Sequence, residues 1–294
     1  MAFRAVVLAL AAFVAPAQEP APDAAIDQAR TKPVEFICPM DPDVRSATPG
    51  RCPRCKMKLE AGLPDFAEYP VRVSTSPRVV RPGAATDFTF EVLHPKTGKR
   101  VVEFEDVHER LFHLFFISED LEYFAHEHPT IDTEGRFHFK ATLSKPGQYR
   151  VLCDFYPKGG SPQMTARTIF AAGKSHASRK PLVPTSAPQD GGNIRVELST
   201  EPAKPIAGQK TLLFFRISPA ENLEPFLGAW GHMMAASEDL IDLVHQHPAF
   251  ETGGPQIQFN LIFPREGMYK VWVQFQREGV VNTVAFNVPV TILR

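Results

Sequence analysis

Between Cys38 and Met57 the stretch CPMDPDVRSATPGRCPRCKM gathers three of the chain's four cysteines and two of its seven methionines. Cys52-x-x-Cys55 puts two thiols on one tight turn, the half-site of a tetrahedral metal centre. Cys38 can fold back to that turn across a segment bent by Pro42, Pro49 and Gly50. Met40 and Met57 each follow a cysteine by two residues, where a thioether would extend a soft ligand set. Such ligands select Cu(I), and thiolates also serve Zn²⁺. A disulfide is the competing chemistry, but three neighbouring cysteines leave one over. A redox-active CxxC would need a thioredoxin-like βαβ pattern, which does not surround this one.

A second set of candidate ligands is imidazole. His113, His126 and His128 recur as His232, His245 and His247, each at an offset of 119, around a shared Ser-Glu-Asp-Leu. If Glu119-Asp120 is a two-residue turn, Ser118 pairs with Leu121, and the register runs outward until His113 faces His126. His128 then projects from the same face. By the same rule Ser237 pairs with Leu240, and His232 faces His245 beside His247. Three imidazoles with an open position can hold Cu²⁺ or Zn²⁺. The same histidines could instead cap a core and bond backbone carbonyls, so metal and architecture both stand as readings. Met164, Met233 and Met234 read as core filler rather than ligands. His94, His108, His138 and His176 have no counterpart in the other copy and are assigned to surface or loops. Cys153 aligns with Val273 and reads as a small buried apolar residue.

The elements that must carry these groups are short and β-like. Phe88/Phe90/Val92, Tyr149/Val151/Cys153/Phe155 and Tyr269/Val271/Val273/Phe275 alternate, and Gly and Pro punctuate the runs. The expected fold is mainly β: a small metal-binding module (34–64), then two tandem antiparallel β-sandwich repeats of immunoglobulin or cupredoxin type (69–172 and 193–294). A polar Pro/Gly-rich linker (173–192) joins them. Ahead of the module, residues 1–17 read as a secretory signal with Ala15-Pro16-Ala17 at the cleavage site, and 18–33 as a disordered leader. The expectation is an exported protein, periplasmic or extracellular, with no membrane insertion after signal cleavage. Net charge is −1 with both signs interspersed, which excludes electrostatic recruitment to nucleic acid or anionic lipid.

Phe36-Ile-Cys38-Pro39-Met40-x-Pro42-x-Val44-x-Ser46 with Pro49-Gly50-x-Cys52-Pro53-x-Cys55-x-Met57-x-Leu59 resembles the small heavy-metal-binding domain of copper/silver efflux adaptors and copper-transporting P-type ATPases. The resemblance implies soft or borderline metal binding at Cys38, Cys52 and Cys55, with Met40 and Met57 as motif members. Asp41 stands where that family commonly has His, and Lys56 where it commonly has Gly. An adaptor would need long helical hairpins and an ATPase would need membrane spans, and neither pattern is present in the sequence.

The leading expectation is a heavy-metal-binding protein, with Cu(I) at the Cys/Met module, Cu(II) or Zn(II) at the triads, and an efflux or transfer protein as partner. Imidazole ligation is expected to fail near the ordinary pKa of about 6.5. Two alternatives remain open: a metal-dependent enzyme built on a three-His site, and a structural or adhesive sandwich pair without metal at the triads. No acid/base candidate shared by both copies is visible apart from the Glu-Asp of the turn, so the chain is read as a non-enzyme.

Overall fold

Strand runs in which every second residue is apolar need a partner layer, and each repeat supplies one from its own second sheet. The computed structural model describes residues 36–40, 44–62, 67–158, 160–174, 180–250 and 252–293. The expected signal, the leader, Asp41 and His176 lie outside those residues.

The small module holds β1 (Phe36–Ile37), β2 (Arg45–Ser46) and β3 (Glu60–Ala61), paired in the order β2-β1-β3. The first repeat contains β4 (Val71–Ser76), β5 (Ala85–Val92), β6 (Phe104–Glu105), β7 (Phe112–Ser118), β8 (Phe124–Glu127), β9 (Thr130–Ile131), β10 (Arg136–Thr142), β11 (Gly147–Pro157) and β12 (Gln163–Ala171). The second contains β13 (Gln189–Asp190), β14 (Arg195–Glu201), β15 (Lys210–Ser218), β16 (Leu223–Glu224), β17 (His232–Ser237), β18 (Leu243–Gln246), β19 (Gln256–Ile262), β20 (Gly267–Arg277) and β21 (Val280–Val290).

In the first repeat, β4-β5-β10-β9 packs on β12-β11-β7-β8, and β6 pairs with β11. In the second, β13-β14-β15-β19 packs on β16-β20-β17-β18, with β21 beside β20. All these strand pairs are antiparallel. Phe88, Phe90, Phe112, Phe116, Phe137 and Phe155 fill the first core, and Phe215, Phe259, Phe263, Phe275 and Phe286 the second. The mainly β, two-sandwich expectation holds. Cys153 lies in the first core with no exposure.

Phe-His-Leu-Phe-Phe-Ile-Ser on β7 and His-Met-Met-Ala-Ala-Ser on β17 do not alternate, and every residue of both strands is buried. A strand covered on both faces reads as a continuous apolar run. The second cover is the other repeat. Phe115, Ile117, Leu121 and Leu152 of the first pack with Met234, Ala236, Leu240 and Trp272 of the second in one apolar cluster. Phe124 and Trp272 stack across this seam with centroids 4.8 Å apart.

The turn register differs from expectation. Ser118 N–H bonds Tyr123 C=O at 3.1 Å and Leu121 N–H bonds Ser118 C=O at 2.9 Å, so the loop has four residues. His126 therefore lies opposite Phe115, not His113. The second copy does the same: Ser237 bonds Asp242, and His245 pairs with Met234, not His232. The slip is two residues in each hairpin. Because side chains alternate with period two, an even slip keeps every histidine on its expected face. That face is turned toward the other repeat.

Candidate metal centres

The module brings its three cysteines together. Cys38, Cys52 and Cys55 are buried, none is in a disulfide, and their sulfurs lie within 4.8 Å of one another. Cys38 Sγ and Cys55 Sγ are 3.4 Å apart. The turn closes through Lys56 N–H to Cys52 C=O at 3.0 Å and Cys52 N–H to Met57 C=O at 2.8 Å. Lys56 takes φ of 61°, the conformation that glycine favours, so the turn closes with lysine at that position. Met57 is buried in the same cluster, and Met40 packs against it half-buried. Burial pushes the Cys52 thiol up to about 11. The contact with Cys38, then burial, pushes Cys55 higher still. Metal uptake here must displace protons.

The two histidine triads meet. His113 and His232 lie on the central strands β7 and β17, and His126, His128, His245 and His247 at the ends of β8 and β18. Within each triad the ligand nitrogens lie inside 4.8 Å. In the first, His113 Nδ1 is 3.0 Å from His126 Nε2 and 3.2 Å from His128 Nε2. In the second, His232 Nδ1 is 3.1 Å from His247 Nε2.

The outer contacts set the tautomers. His113 Nε2–H donates to Val107 C=O and His232 Nε2–H to Phe226 C=O, both at 2.8 Å. His126 Nδ1–H donates to Gln274 Oε1 at 2.7 Å, and Gln274 Nε2 in turn donates to Thr283 Oγ1, which fixes the amide. His245 Nδ1–H donates to Asp154 Oδ2 at 2.6 Å. A neutral imidazole carries one proton. The inward nitrogens of His113, His126 and His232 are then bare lone pairs. His113 Nδ1 and His126 Nε2 face each other without a proton between them, and buried His245 Nε2 has no partner. Imidazoles oriented by a carbonyl, an amide and a carboxylate, with lone pairs converging, match the way proteins hold a metal. The residues present fit a metal ion.

The supports cross over: Asp154 on β11 of the first repeat holds a histidine of the second, and Gln274 on β20 of the second holds a histidine of the first. Burial pushes His113 down to about 4 and His128 to about 3, and holds His126, His232 and His247 well below the ordinary value, with neighbouring imidazoles adding to it. The expectation that protons compete near 6.5 is corrected: these rings stay neutral to lower pH. For Asp154, burial acts upward, but the His245 hydrogen bond and the surrounding imidazoles outweigh it and hold the carboxyl low.

Sequence reasoning missed three residues at this centre. Asp154 and Gln274 are counterparts of different chemistry, so repeat matching flagged neither. His108 was assigned to surface or loop. It sits in a turn with φ of 46°, but its ring stacks on His247 at 3.5 Å. Burial pushes His108 down to about 3, and its Nε2 is buried without a partner. His94 and His138 stand apart, His94 edge-on to Tyr69 and His138 bonded to Asp132.

The thiol and imidazole sites adjoin. Val107 packs its side chain among the cysteines and gives its carbonyl to His113. Tyr156 O–H donates to Glu60 of the module. A cavity of about 210 Å³ is lined by Arg54 and Lys56 from the cysteine turn and by His108, His247 and Trp230.

Residues 36–61 match the family model described as Heavy metal binding domain. No curated protein matches the chain. Among solved structures, the Escherichia coli adhesin FdeC is similar at 14% identity, over 79% of this chain and 67% of that one, with a TM-score of 0.27. The Yersinia pseudotuberculosis adhesin InvE is similar at 10% identity, over 76% of this chain and 60% of its own length, with a TM-score of 0.25. At those scores neither bears on function. A second family model covers most of the chain, at residues 65–172 and 187–291, once for each sandwich. The chain belongs to the family described as Domain of unknown function (DUF8832), of which it carries two copies behind the heavy-metal-binding module.

Proposed function

We propose that this chain is an exported copper-binding protein that takes up Cu(I) on Cys38, Cys52 and Cys55 and holds copper on the six triad histidines. The observation that carries the reading is the convergence of the inward ring nitrogens of His113, His126, His232 and His245, each ring fixed by an outer acceptor. Three thiols suit Cu(I) and imidazoles suit Cu(II) or Zn(II). Val107, in contact with both sites, makes exchange between them short-range, and an efflux or transfer protein is the natural donor or acceptor. Asp154 is the acid/base candidate an enzyme would need, but its carboxylate is engaged in orienting His245, which favours holding metal over turnover.

The test is elemental analysis of the full chain loaded anaerobically with Cu(I), and separately with Cu(II) and Zn(II). Beside it run Cys52→Ser/Cys55→Ser and His126→Ala/His245→Ala. The expected result is Cu(I) lost with the thiols and Cu(II) or Zn(II) lost with the histidines. A wild-type chain that retains none of these ions sinks the reading. Export is checked by N-terminal sequencing of the mature protein, expected to begin near Gln18; an intact Met1 would overturn that part.

A further inference from the structure

We infer that the two triads form one two-metal centre, whose ions share a single bridging ligand across the seam between the repeats. This rests on the reading that the triads hold metal, and it goes further by assigning a paired rather than an independent arrangement.

The spacing carries the inference. Within a triad, ring centroids are 4.5 to 6.0 Å apart. Between triads they are about as close: His126 to His232 is 5.4 Å, His113 to His245 5.6 Å, His126 to His245 5.8 Å and His113 to His232 6.2 Å. Four rings thus form a shared centre, with His128 on one flank and His247 on the other. Two ions, one seated on each set of three nitrogens, would be neighbours here, and in two-metal sites, whose ions stand about 3.5–4 Å apart, one small ligand touches both.

The crossed supports make the pair a property of the assembled chain. His245 is held by a carboxylate of the first repeat and His126 by an amide of the second. Neither triad has its full orienting set within its own sandwich.

Charge balance supplies the bridge. Two divalent ions would bring four positive charges to six imidazole ligands and one bonded carboxylate, Asp154. Buried charge is tolerated when it is paired. A hydroxide-sized anion between the ions would supply negative charge where both positive charges meet.

The experiment uses the full chain, its thiols first filled with one equivalent of Ag(I), which is diamagnetic and prefers thiolate. Cu(II) is then titrated in, bound copper is counted by elemental analysis and unpaired spins by electron paramagnetic resonance. The expected result is two coppers per chain with at least a two-fold loss of spin signal per copper on going from one equivalent to two, because bridged Cu(II) ions couple. His128→Gln, at the flank, should leave one copper with its full signal. Two coppers with two full spins would overturn the pair while leaving the metal-binding reading intact. A single copper shared by all six histidines would also overturn it. No copper at the histidines would overturn the metal-binding reading itself.

Discussion

Asp154 and Gln274 occupy matched places and make matched contacts, yet one carries charge and the other does not. A carboxylate behind a ligating imidazole raises its basicity, and removing such a partner typically costs 10- to 100-fold in metal affinity. Asp154→Asn is therefore expected to weaken Cu(II) or Zn(II) binding at the His232 triad by roughly that factor, with folding intact. Competition titration against a chelator measures it, and an unchanged affinity would show that Asp154 is only a structural partner. At the other site, Lys56 holds a left-handed conformation that costs a non-glycine residue about 1–2 kcal/mol. Lys56→Gly is expected to stabilise the module by up to about 1 kcal/mol in denaturant melts; a loss of stability would contradict this. The six triad histidines and three cysteines were legible as candidates because both sets stand out by repetition or density. Asp154 and His108 were not, because each belongs to one repeat alone and its role appears only when the repeats face each other.

The hairpin is where local reading went astray. A two-residue turn was the simplest model for Ser-Glu-Asp-Leu, but leucine takes the left-handed position, with φ of 60° at Leu121 and 58° at Leu240. Backbone preference argues against leucine there. Packing overrides it: both leucines are buried in the seam, Leu121 at 1% and Leu240 at 3% exposure. Burying a leucine contributes about 1.5–3 kcal/mol, more than the strain it offsets. Leu121→Gly should therefore destabilise the chain by about 1–3 kcal/mol despite relieving the backbone, measured as a shift in urea midpoint; a stabilised variant would show that the seam does not hold the turn. The faces of the histidines survived the misread register because the slip was even. The apolar runs of β7 and β17 do carry the signal that both faces are covered. The sequence could not say what covers them, since a second sandwich and a separate partner leave the same pattern.

At the scale of the whole molecule, the seam buries imidazoles that must stay neutral. His113 is pushed down to about 4 and His128 and His108 to about 3, with burial leading in each case. The unfolded chain protonates these rings near 6.5, so below that pH it binds protons that the folded chain refuses. The histidine contribution to stability should be flat above about pH 7 and fall from about 6.5 toward 3–4, by up to about 1.4 kcal/mol per pH unit for each histidine involved. Urea melts of the metal-free chain from pH 7.5 to 4 test this, and a constant midpoint would contradict it.

The most direct test of the central claim is anomalous X-ray scattering from crystals of the chain loaded with copper and, separately, zinc. The account predicts anomalous peaks at His113/His126/His128 and His232/His245/His247, and one amid Cys38, Cys52 and Cys55 in the Cu(I) crystals. Crystals soaked at saturating metal that show no peak at the histidines would mean that the six rings only hold the two sandwiches together.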